Sequence, residues 1–186
     1  GRYHYDFTMA FDREVPLLPV FVWFYILAFP FWAVGYLLAA RRGKDMFYRF
    51  VATDLTIHFI CFICFILIPT TNIRPEIAGN TLSEKILALV YSLDGGNSPS
   101  NLFPSIHCYV SWMCWKGVEG SEKVPKWYQR FSLVFAILII ISTQVLKQHY
   151  IVDAAAALLL VEFFWRFYQK GQRHKWVVHI FSHKKK

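Results

Sequence analysis

Charged residues are scarce in this chain of 186 residues. Asp, Glu, Lys and Arg together supply 17% of the sequence, whereas hydrophobic residues supply 56% and aromatic residues 19%. A typical soluble domain carries about 25% charged residues, so this composition excludes an ordinary soluble protein. The chain also lacks internal repeats and any Pro-, Ser- or Gly-rich linker. These absences predict one domain over residues 1–186, with a core at about 12–168 and a basic tail at 169–186.

Cysteine is sparse as well, with four residues. Cys61 and Cys64 form a C-x-x-C pair, but no second pair follows at the spacing of a zinc site. The pair lies within an apolar segment, where cysteines are commonly small buried side chains. We therefore predict no metal site and no cofactor, and nothing in the sequence requires a disulfide.

Long apolar segments dominate the remainder. Leu17 to Ala40 contains no charged residue, and Phe50 to Ile73 is interrupted only by Asp54 and His58. Both exceed the roughly 20 residues that a membrane-spanning helix needs. Three further segments lie near that threshold, and they cover Phe103–Val118, Phe131–Leu146 and Tyr150–Phe167.

This pattern predicts an all-α polytopic membrane helix bundle with about five transmembrane helices. Backbone in lipid must satisfy its own hydrogen bonds, and the alternating pattern of a membrane β-barrel does not occur in the sequence. Because the sequence begins without Met, a sixth helix ahead of residue 1 remains open.

Basic residues are distributed unevenly about these five segments. One side receives 15 of the 20 Lys and Arg residues, namely Arg41, Arg42, Lys44, Arg49, Lys116, Lys123, Lys126, Arg130, Arg166, Lys170, Arg173, Lys175, Lys184, Lys185 and Lys186. Basic loops prefer the cytoplasm, so we expect this basic collar and the C-terminus to be cytoplasmic. The net charge of +8 then faces the lipid bilayer rather than nucleic acid.

Polar residues that carry chemistry converge at the other end of the predicted bundle. A charged side chain within a membrane segment costs a few kcal/mol, so several at one depth indicate a shared site. The set comprises Asn72, Arg74, Ser105, His107, Ser142, Thr143, Lys147, His149 and Asp153.

The stretch STQVLKQHYIVD, residues 142–153, supplies most of this set. On a helix, His149 and Asp153 share one face, and Ser142 lies nearly on that face. A carboxylate one turn away can accept the imidazole Nδ1–H and leave Nε2 free to attack an electrophile. Lys147 would point nearly opposite His149, so it serves the same site only if the backbone breaks there.

Two other stretches complete the predicted site. In LFPSIHCYVSW, Ser105 and neighbouring amides would lie at a helix N-terminus suited to an anionic oxygen. His107 there is either a general acid or a helix-end histidine bonded to Ser105 or to a carbonyl. In TTNIRPEI, the Arg74 guanidinium can bind two phosphate oxygens at once. Two histidines, an arginine, a lysine, an aspartate and a helix N-terminus are typical of phosphoryl transfer without metal.

Three motifs in the sequence resemble the signature of the type 2 phosphatidic acid phosphatase (PAP2) superfamily. They are RP at residues 74–75, PSIH at 104–107 and STQVLKQHYIVD, and the resemblance spans about residues 12–168. It extends to a small bacterial branch and to lipid phosphotransferase relatives. It implies a bacterial plasma-membrane enzyme, and the distribution of basic residues predicts that the active site is on the extracytoplasmic face.

The resemblance also implies the roles of the site residues. His149 would be the nucleophile that becomes phosphohistidine, Asp153 its orienting partner and His107 the general acid, with Arg74 and Ser105 holding phosphate. Ser142 and Thr143 belong to the third motif at the phosphate site.

The sequence departs from the family pattern at three positions. Leu67 stands where the family has Lys, Ile106 where it has Gly, and Thr143 where it has Arg. Two phosphate-binding cations are therefore missing, and Lys147 is the predicted replacement for one of them.

The sequence thus predicts a metal-independent phosphatase acting on a lipid phosphate monoester or pyrophosphate. A phosphotransferase with an alcohol acceptor, a proton-coupled transporter and a non-catalytic membrane scaffold remain open, as do the individual lipid and the oligomeric state. A transporter is disfavoured because no repeat and no broken mid-membrane segment is evident.

Two peripheral segments are amphipathic. Residues 81–93 have a capping box at Thr81 and Glu84 and apolar residues at helical spacing, which fits either an interfacial helix or a sixth packing helix. The tail RHKWVVHIFSHKKK favours membrane-surface contact over metal binding.

Overall fold

The computed structural model describes residues 4–96, 99–170 and 173–182. The regular elements of these ranges are helices, which confirms the all-α prediction. Of the basic collar and tail, Lys184, Lys185 and Lys186 lie outside the described residues.

Three helices within the described residues are long and apolar enough to cross a membrane. They are α2 (Val22–Arg41), which a 3₁₀ turn at Pro19–Phe21 precedes, α3 (Lys44–Leu67) and α6 (Lys126–Val145). They correspond to three of the five predicted transmembrane segments and confirm a membrane helix bundle.

The other two predicted transmembrane segments form α5 (Ile106–Val118) and α7 (Ile151–Gln169). With 13 residues, α5 is only about 20 Å long, compared with a hydrocarbon core of about 30 Å. Helix α7 carries Asp153, Glu162 and Arg166 along its length. The total of five crossings therefore stays a prediction.

Helix α5 lies at the centre of the bundle, where it packs against α2, α3, α6 and α7. Its residues Tyr109, Met113 and Cys114 are fully buried. The contact with α2 is close, because a Cβ atom at Gly35 would lie 2.5 Å from the Cys114 sulfur. The short α5 is thus enclosed by the longer helices, and its N-terminus is held among them.

The polar residues within α3 contact each other and α5. Asp54 Oδ1 lies 3.3 Å from His58 Nδ1, and the Tyr109 hydroxyl hydrogen-bonds the same imidazole at 2.8 Å from Nε2. Pairing of this kind lowers the cost of polar groups within an apolar helix. Asp54 and His58 therefore have partners inside the bundle.

The amphipathic segment forms α4 (Leu82–Leu93), and its predicted capping box is present. The Glu84 amide donates to Thr81 Oγ1 at 3.2 Å, and the Thr81 amide donates to the Glu84 carboxylate at 3.0 Å. Leu87 and Tyr91 are buried in a cluster with residues of α2, whereas Leu82, Leu89 and Leu93 are exposed. One face of α4 therefore packs on the bundle, and the other is free to contact lipid.

Hydrogen bonds bring the basic loops together at one end of the bundle. Arg42 donates to the Gly117 and Glu119 carbonyls at 3.0 and 2.9 Å, joining the α2–α3 and α5–α6 connections. Before α8 (Lys175–Ser182), the buried His174 contacts Asp45 Oδ1 at 2.8 Å. The described part of the tail thus lies at the same end as the start of α3.

Candidate active site

The connection between α6 and α7 holds His149 in place. Helix α6 ends at Val145 and α7 begins at Ile151, and Lys147 between them has a left-handed backbone, with φ of 52°. The Thr143 carbonyl accepts hydrogen bonds from the amides of Gln148 and His149, at 2.9 and 3.0 Å. The backbone leaves the helix here, between the predicted segments that end at Leu146 and begin at Tyr150. The helical register that would put Ser142 on the same face as His149 and Asp153 therefore does not hold.

The predicted pairing of His149 with Asp153 survives this break. His149 Nδ1 lies 3.6 Å from Asp153 Oδ2, and both side chains are almost fully buried. The same carboxylate oxygen accepts the Tyr150 amide at 2.9 Å, which fixes Asp153 at the start of α7. At 3.6 Å the contact is electrostatic rather than a formed hydrogen bond, and a small rotation of the imidazole would close it.

His107 faces His149 from the first turn of α5. The two ring centroids are 6.4 Å apart, and His107 stacks on Tyr25 of α2 at 4.1 Å. The alternative of a histidine bonded to Ser105 is not what the structure shows, since Ser105 Oγ accepts the Cys108 amide instead. His107 Nε2 and His149 Nδ1 are buried without a hydrogen-bond partner, and such groups are costly unless a ligand or water satisfies them.

A cavity of about 240 Å³ joins the two histidines. Its polar lining includes His107, His149, Asp94 and Asn101, and its apolar wall is formed by residues of α2 and the first turn of α5, namely Tyr25, Phe29, Trp32 and Ile106. Because Ile106 and His107 lie in the first turn of α5, the positive end of that helix faces the cavity. The cavity therefore combines two imidazoles and the amides of a helix N-terminus with an apolar wall and the Asp94 carboxylate.

Arg74 is buried beside this cavity, and both of its terminal nitrogens are bonded by protein groups, whereas its Nε is buried without a hydrogen-bond partner. Its Nη1 donates to the Asp94 and Gly96 carbonyls at 3.0 and 3.1 Å, and its Nη2 contacts the Asp94 carboxylate and Gln148 Oε1, each at 2.5 Å. Gln148 directly precedes His149 in the chain, so the Arg74 guanidinium is bonded to the residue next to the proposed nucleophile. The structure places Arg74 behind the cavity wall, with Asp94 between its charge and the cavity.

Ser105 links the N-termini of α5 and α7. Its hydroxyl accepts the Cys108 amide at 3.3 Å, and its own amide donates to the Asp153 carbonyl at 3.3 Å. Ser105 is fully buried and does not line the cavity. In this structure it holds His107 and Asp153 in register, and the predicted phosphate contact stays a prediction.

Ser142 and Thr143 bond back to their own helix. Ser142 Oγ donates to the Ile139 carbonyl at 2.6 Å, and Thr143 Oγ1 donates to the Ile140 carbonyl at 2.7 Å. Both residues are fully buried and neither lines the cavity. The structure thus gives these hydroxyls a place in the packing of α6, and Thr143 supports His149 through its backbone carbonyl.

Lys147 requires a correction, because the structure does not direct it to the histidines. Its ammonium donates to the Asp12 and Val15 carbonyls at 2.7 and 2.5 Å. Burial lowers the pKa of Lys147, an effect that the negative charge of Asp12 opposes. The left-handed backbone turns the side chain toward the N-terminal segment, so Lys147 does not replace the missing phosphate-binding cations.

Sequence analysis did not identify Asp12 as part of this assembly. Asp12 lies in α1 (Ala10–Glu14) and is buried. Its Oδ1 accepts the Ile151 amide at 2.9 Å, where a negative charge stabilises the start of α7. No feature of the sequence distinguished Asp12 from the neighbouring Glu14. Asp94 and Gln148 were missed as well, although Gln148 is adjacent to His149 and Asp94 follows α4 in a glycine-rich turn.

The substitution Lys147→Met tests whether Lys147 anchors the N-terminal segment through the Asp12 and Val15 carbonyls. It keeps the side-chain length and removes two charge-assisted hydrogen bonds, so we expect a loss of about 1–3 kcal/mol in stability and faster proteolysis before residue 17. Thermal unfolding and limited proteolysis in detergent measure both effects. The exposed Lys85→Met is the matched control and is expected to leave both unchanged. A variant with parent-like stability and a selective loss of phosphate affinity would restore Lys147 to the phosphate site.

Comparison with protein families gives one assignment. A family model described as the PAP2 superfamily matches residues 4–166. A comparison with curated proteins and with solved structures finds no match. The matched range includes every predicted site residue, from Arg74 to Asp153.

Proposed function

Because the chain belongs to the PAP2 superfamily, which indicates phosphatase-type activity, we propose that it hydrolyses a lipid phosphate monoester or pyrophosphate through a phosphohistidine at residue 149. The observation that carries this proposal is the pair of imidazoles, 6.4 Å apart, that line one cavity at the positive end of α5. At this separation both rings can contact the same phosphoryl group.

The first step transfers the phosphoryl group to His149. Burial and the nearby His149 lower the pKa of His107 in the ligand-free site, so His107 takes up its proton when the phosphate dianion binds. Nε2 of His149 attacks phosphorus while the bond to the leaving oxygen breaks, and His107 gives that proton to the leaving oxygen. Asp153 stabilises the positive charge that develops on the His149 ring. The first-turn amides of α5 stabilise the negative charge on the phosphoryl oxygens.

The second step releases inorganic phosphate. Water attacks phosphorus, the P–N bond breaks, and His107 accepts the proton of the attacking water. The enzyme returns to its starting state without a net change in protonation. An alcohol in place of water would instead give a phosphodiester, the product of a phosphotransferase.

The surroundings of the cavity support a lipid as substrate. Phe29 lines the cavity and belongs to α2, a helix apolar enough to cross a membrane, and its side chain is 57% exposed. An acyl or prenyl chain can therefore lie along α2 while its phosphate reaches the histidines. Phosphatidate, phosphatidylglycerol phosphate and a polyprenyl pyrophosphate each fit this description.

The orientation in the membrane follows from the basic loops. The histidine site lies at the α6–α7 connection, whereas the described basic loops meet at the opposite end of the bundle. Since basic loops prefer the cytoplasm, we place the active site on the extracytoplasmic face of a bacterial plasma membrane.

Phosphate release from a panel of lipid phosphates tests the proposed activity. We expect the purified protein in detergent to release inorganic phosphate from at least one of them, in the presence of EDTA as well as without it. A transporter or a scaffold would release none. Formation of a phosphodiester from an added alcohol, without inorganic phosphate, would identify a phosphotransferase instead.

Asp94 offers a test of how phosphate reaches Arg74. Its carboxylate is half-exposed and pairs with the Arg74 guanidinium, so we propose that it occupies the place of a phosphate oxygen in the ligand-free site. In Asp94→Asn the competing charge is absent, and we expect KM for the lipid phosphate to fall about 3- to 10-fold.

The matched control is Glu76→Gln, an exposed carboxylate two residues from Arg74. It is expected to leave KM within twofold of the parent, as measured by initial rates of phosphate release. A rise in KM for Asp94→Asn, at unchanged thermal stability, would show that Asp94 helps substrate to bind rather than competing with it.

A further inference from the structure

A second cavity lies on the C-terminal half of α7, away from the histidines. It has a volume of about 690 Å³ and is lined by Leu159, Glu162, Phe163, Arg166, Phe167, Lys170 and Arg173. Arg166 follows Asp153 by 13 residues on the same helix, which places it about 20 Å from the histidine end. The cavity is therefore separate from the candidate active site.

The lining of this cavity consists of two parallel ridges on α7. Leu159, Phe163 and Phe167 recur every four residues and form an apolar ridge, and Phe163 stacks on Phe167 with ring centroids 6.1 Å apart. Leu159 and Phe163 are 71% and 62% exposed. A helix face this apolar and this exposed is suited to contact with acyl chains.

The neighbouring ridge is polar and ends in cations. Glu162, Arg166 and Lys170 follow each other at the same spacing, and the Arg173 guanidinium lies 4.5 Å above the Phe167 ring. Glu162 is already compensated, since it contacts Lys116 at 3.6 Å, Arg166 at 3.4 Å and the Trp112 indole at 3.0 Å. The cations Arg166, Lys170 and Arg173 therefore give the cavity a net positive charge.

An adjoining cavity of about 390 Å³ increases this charge. It shares Glu162 and Arg166 with the first cavity and adds Arg42, Arg49, Lys116 and Glu119. Across both cavities six cations stand against two carboxylates. The two carboxylates do not balance the six cations, so the remaining positive charge attracts an anion to this surface.

We propose that this face of α7 binds one anionic phospholipid. Its phosphate lies among Arg166, Lys170 and Arg173, and one acyl chain follows the ridge of Leu159, Phe163 and Phe167. A cationic end next to an exposed apolar ridge matches both parts of such a lipid. A zwitterionic lipid offers the same chain but a headgroup without net charge.

Native mass spectrometry of the delipidated full chain tests this site. Dioleoyl phosphatidylglycerol and dioleoyl phosphatidylcholine are added separately, so that only the headgroup differs. We expect phosphatidylglycerol to be retained about tenfold more strongly, and we expect Arg166→Gln/Arg173→Gln to remove that preference. Lys170→Gln, a single change at an exposed position, is expected to weaken it in the same direction.

The matched control is Lys126→Gln/Arg130→Gln, which removes two exposed cations at the start of α6 outside both cavities. It is expected to keep the preference for phosphatidylglycerol. Equal loss in this control would show a general surface charge effect and overturn the site. Equal retention of phosphatidylcholine by the parent would overturn it too, as would displacement of the lipid by an equal concentration of inorganic phosphate.

Discussion

His149→Ala is expected to lower phosphate release from a lipid phosphate by at least about 1,000-fold, because the variant has no nucleophile for the first step. The loss should appear in kcat rather than in KM, since the cavity and Arg74 remain. Initial rates of phosphate release, measured over a range of lipid phosphate concentrations, separate the two parameters.

The matched control for this variant is His179→Ala, which removes an exposed imidazole from α8. Its rate should equal that of the parent. Full activity in His149→Ala would show that residue 149 is not the nucleophile.

His107→Gln is expected to lower phosphate release from a lipid phosphate by about 10²- to 10⁴-fold, the usual contribution of a general acid. The leaving alkoxide of a lipid is a strong base and needs a proton as the P–O bond breaks. Glutamine keeps a polar group against Tyr25, on which His107 stacks, but has no transferable proton.

A substrate with a good leaving group distinguishes this role from a structural one. With p-nitrophenyl phosphate, nitrophenolate leaves without protonation, so the first turnover of His107→Gln should come within about tenfold of the parent. A rapid-mixing measurement of nitrophenolate release reports that turnover. An equal defect on both substrates would mean that His107 only maintains the shape of the cavity.

Hydropathy and helix capping identified the membrane helices and α4. The apolar segments around α2, α3 and α6 are long enough to be predicted from composition alone, since few other structures bury so much apolar surface. Thr81 and Glu84 are three residues apart and determine the start of α4 through local hydrogen bonds. Features that depend only on residues close together in the sequence could therefore be predicted.

The site was predicted only in part, because some of its contacts depend on the backbone conformation and on residues far apart in the sequence. His107 and His149 were placed at one end by counting helices, and the structure brings their rings to the same cavity. The direction of Lys147 was not predictable, because it depends on a left-handed backbone at that residue. The ion pair of Arg74 with Asp94 was also not predicted, because the two residues are separated in the sequence by the whole of α4.

The loss of Lys147 from the site changes how charge is balanced there. The resemblance predicts cations at the positions of Leu67 and Thr143, which are uncharged, and the Lys147 ammonium is bonded to the N-terminal segment. The remaining positive groups are Arg74 and the first-turn amides of α5. Under the proposed function, release of Arg74 from Asp94 is the way in which we expect this chain to offer a cation to phosphate.

Direct detection of phosphohistidine on residue 149 tests the central claim most directly. The protein is mixed with a lipid phosphate, quenched in alkali to preserve the P–N bond, digested and analysed by mass spectrometry. The proposed mechanism predicts a phosphoryl group on His149 in the parent mixed with a lipid phosphate. It predicts the same in His107→Gln mixed with p-nitrophenyl phosphate, where the first step needs no proton and hydrolysis of the intermediate is slow. A phosphoryl group on another residue, or phosphate release with none on the protein, would contradict it.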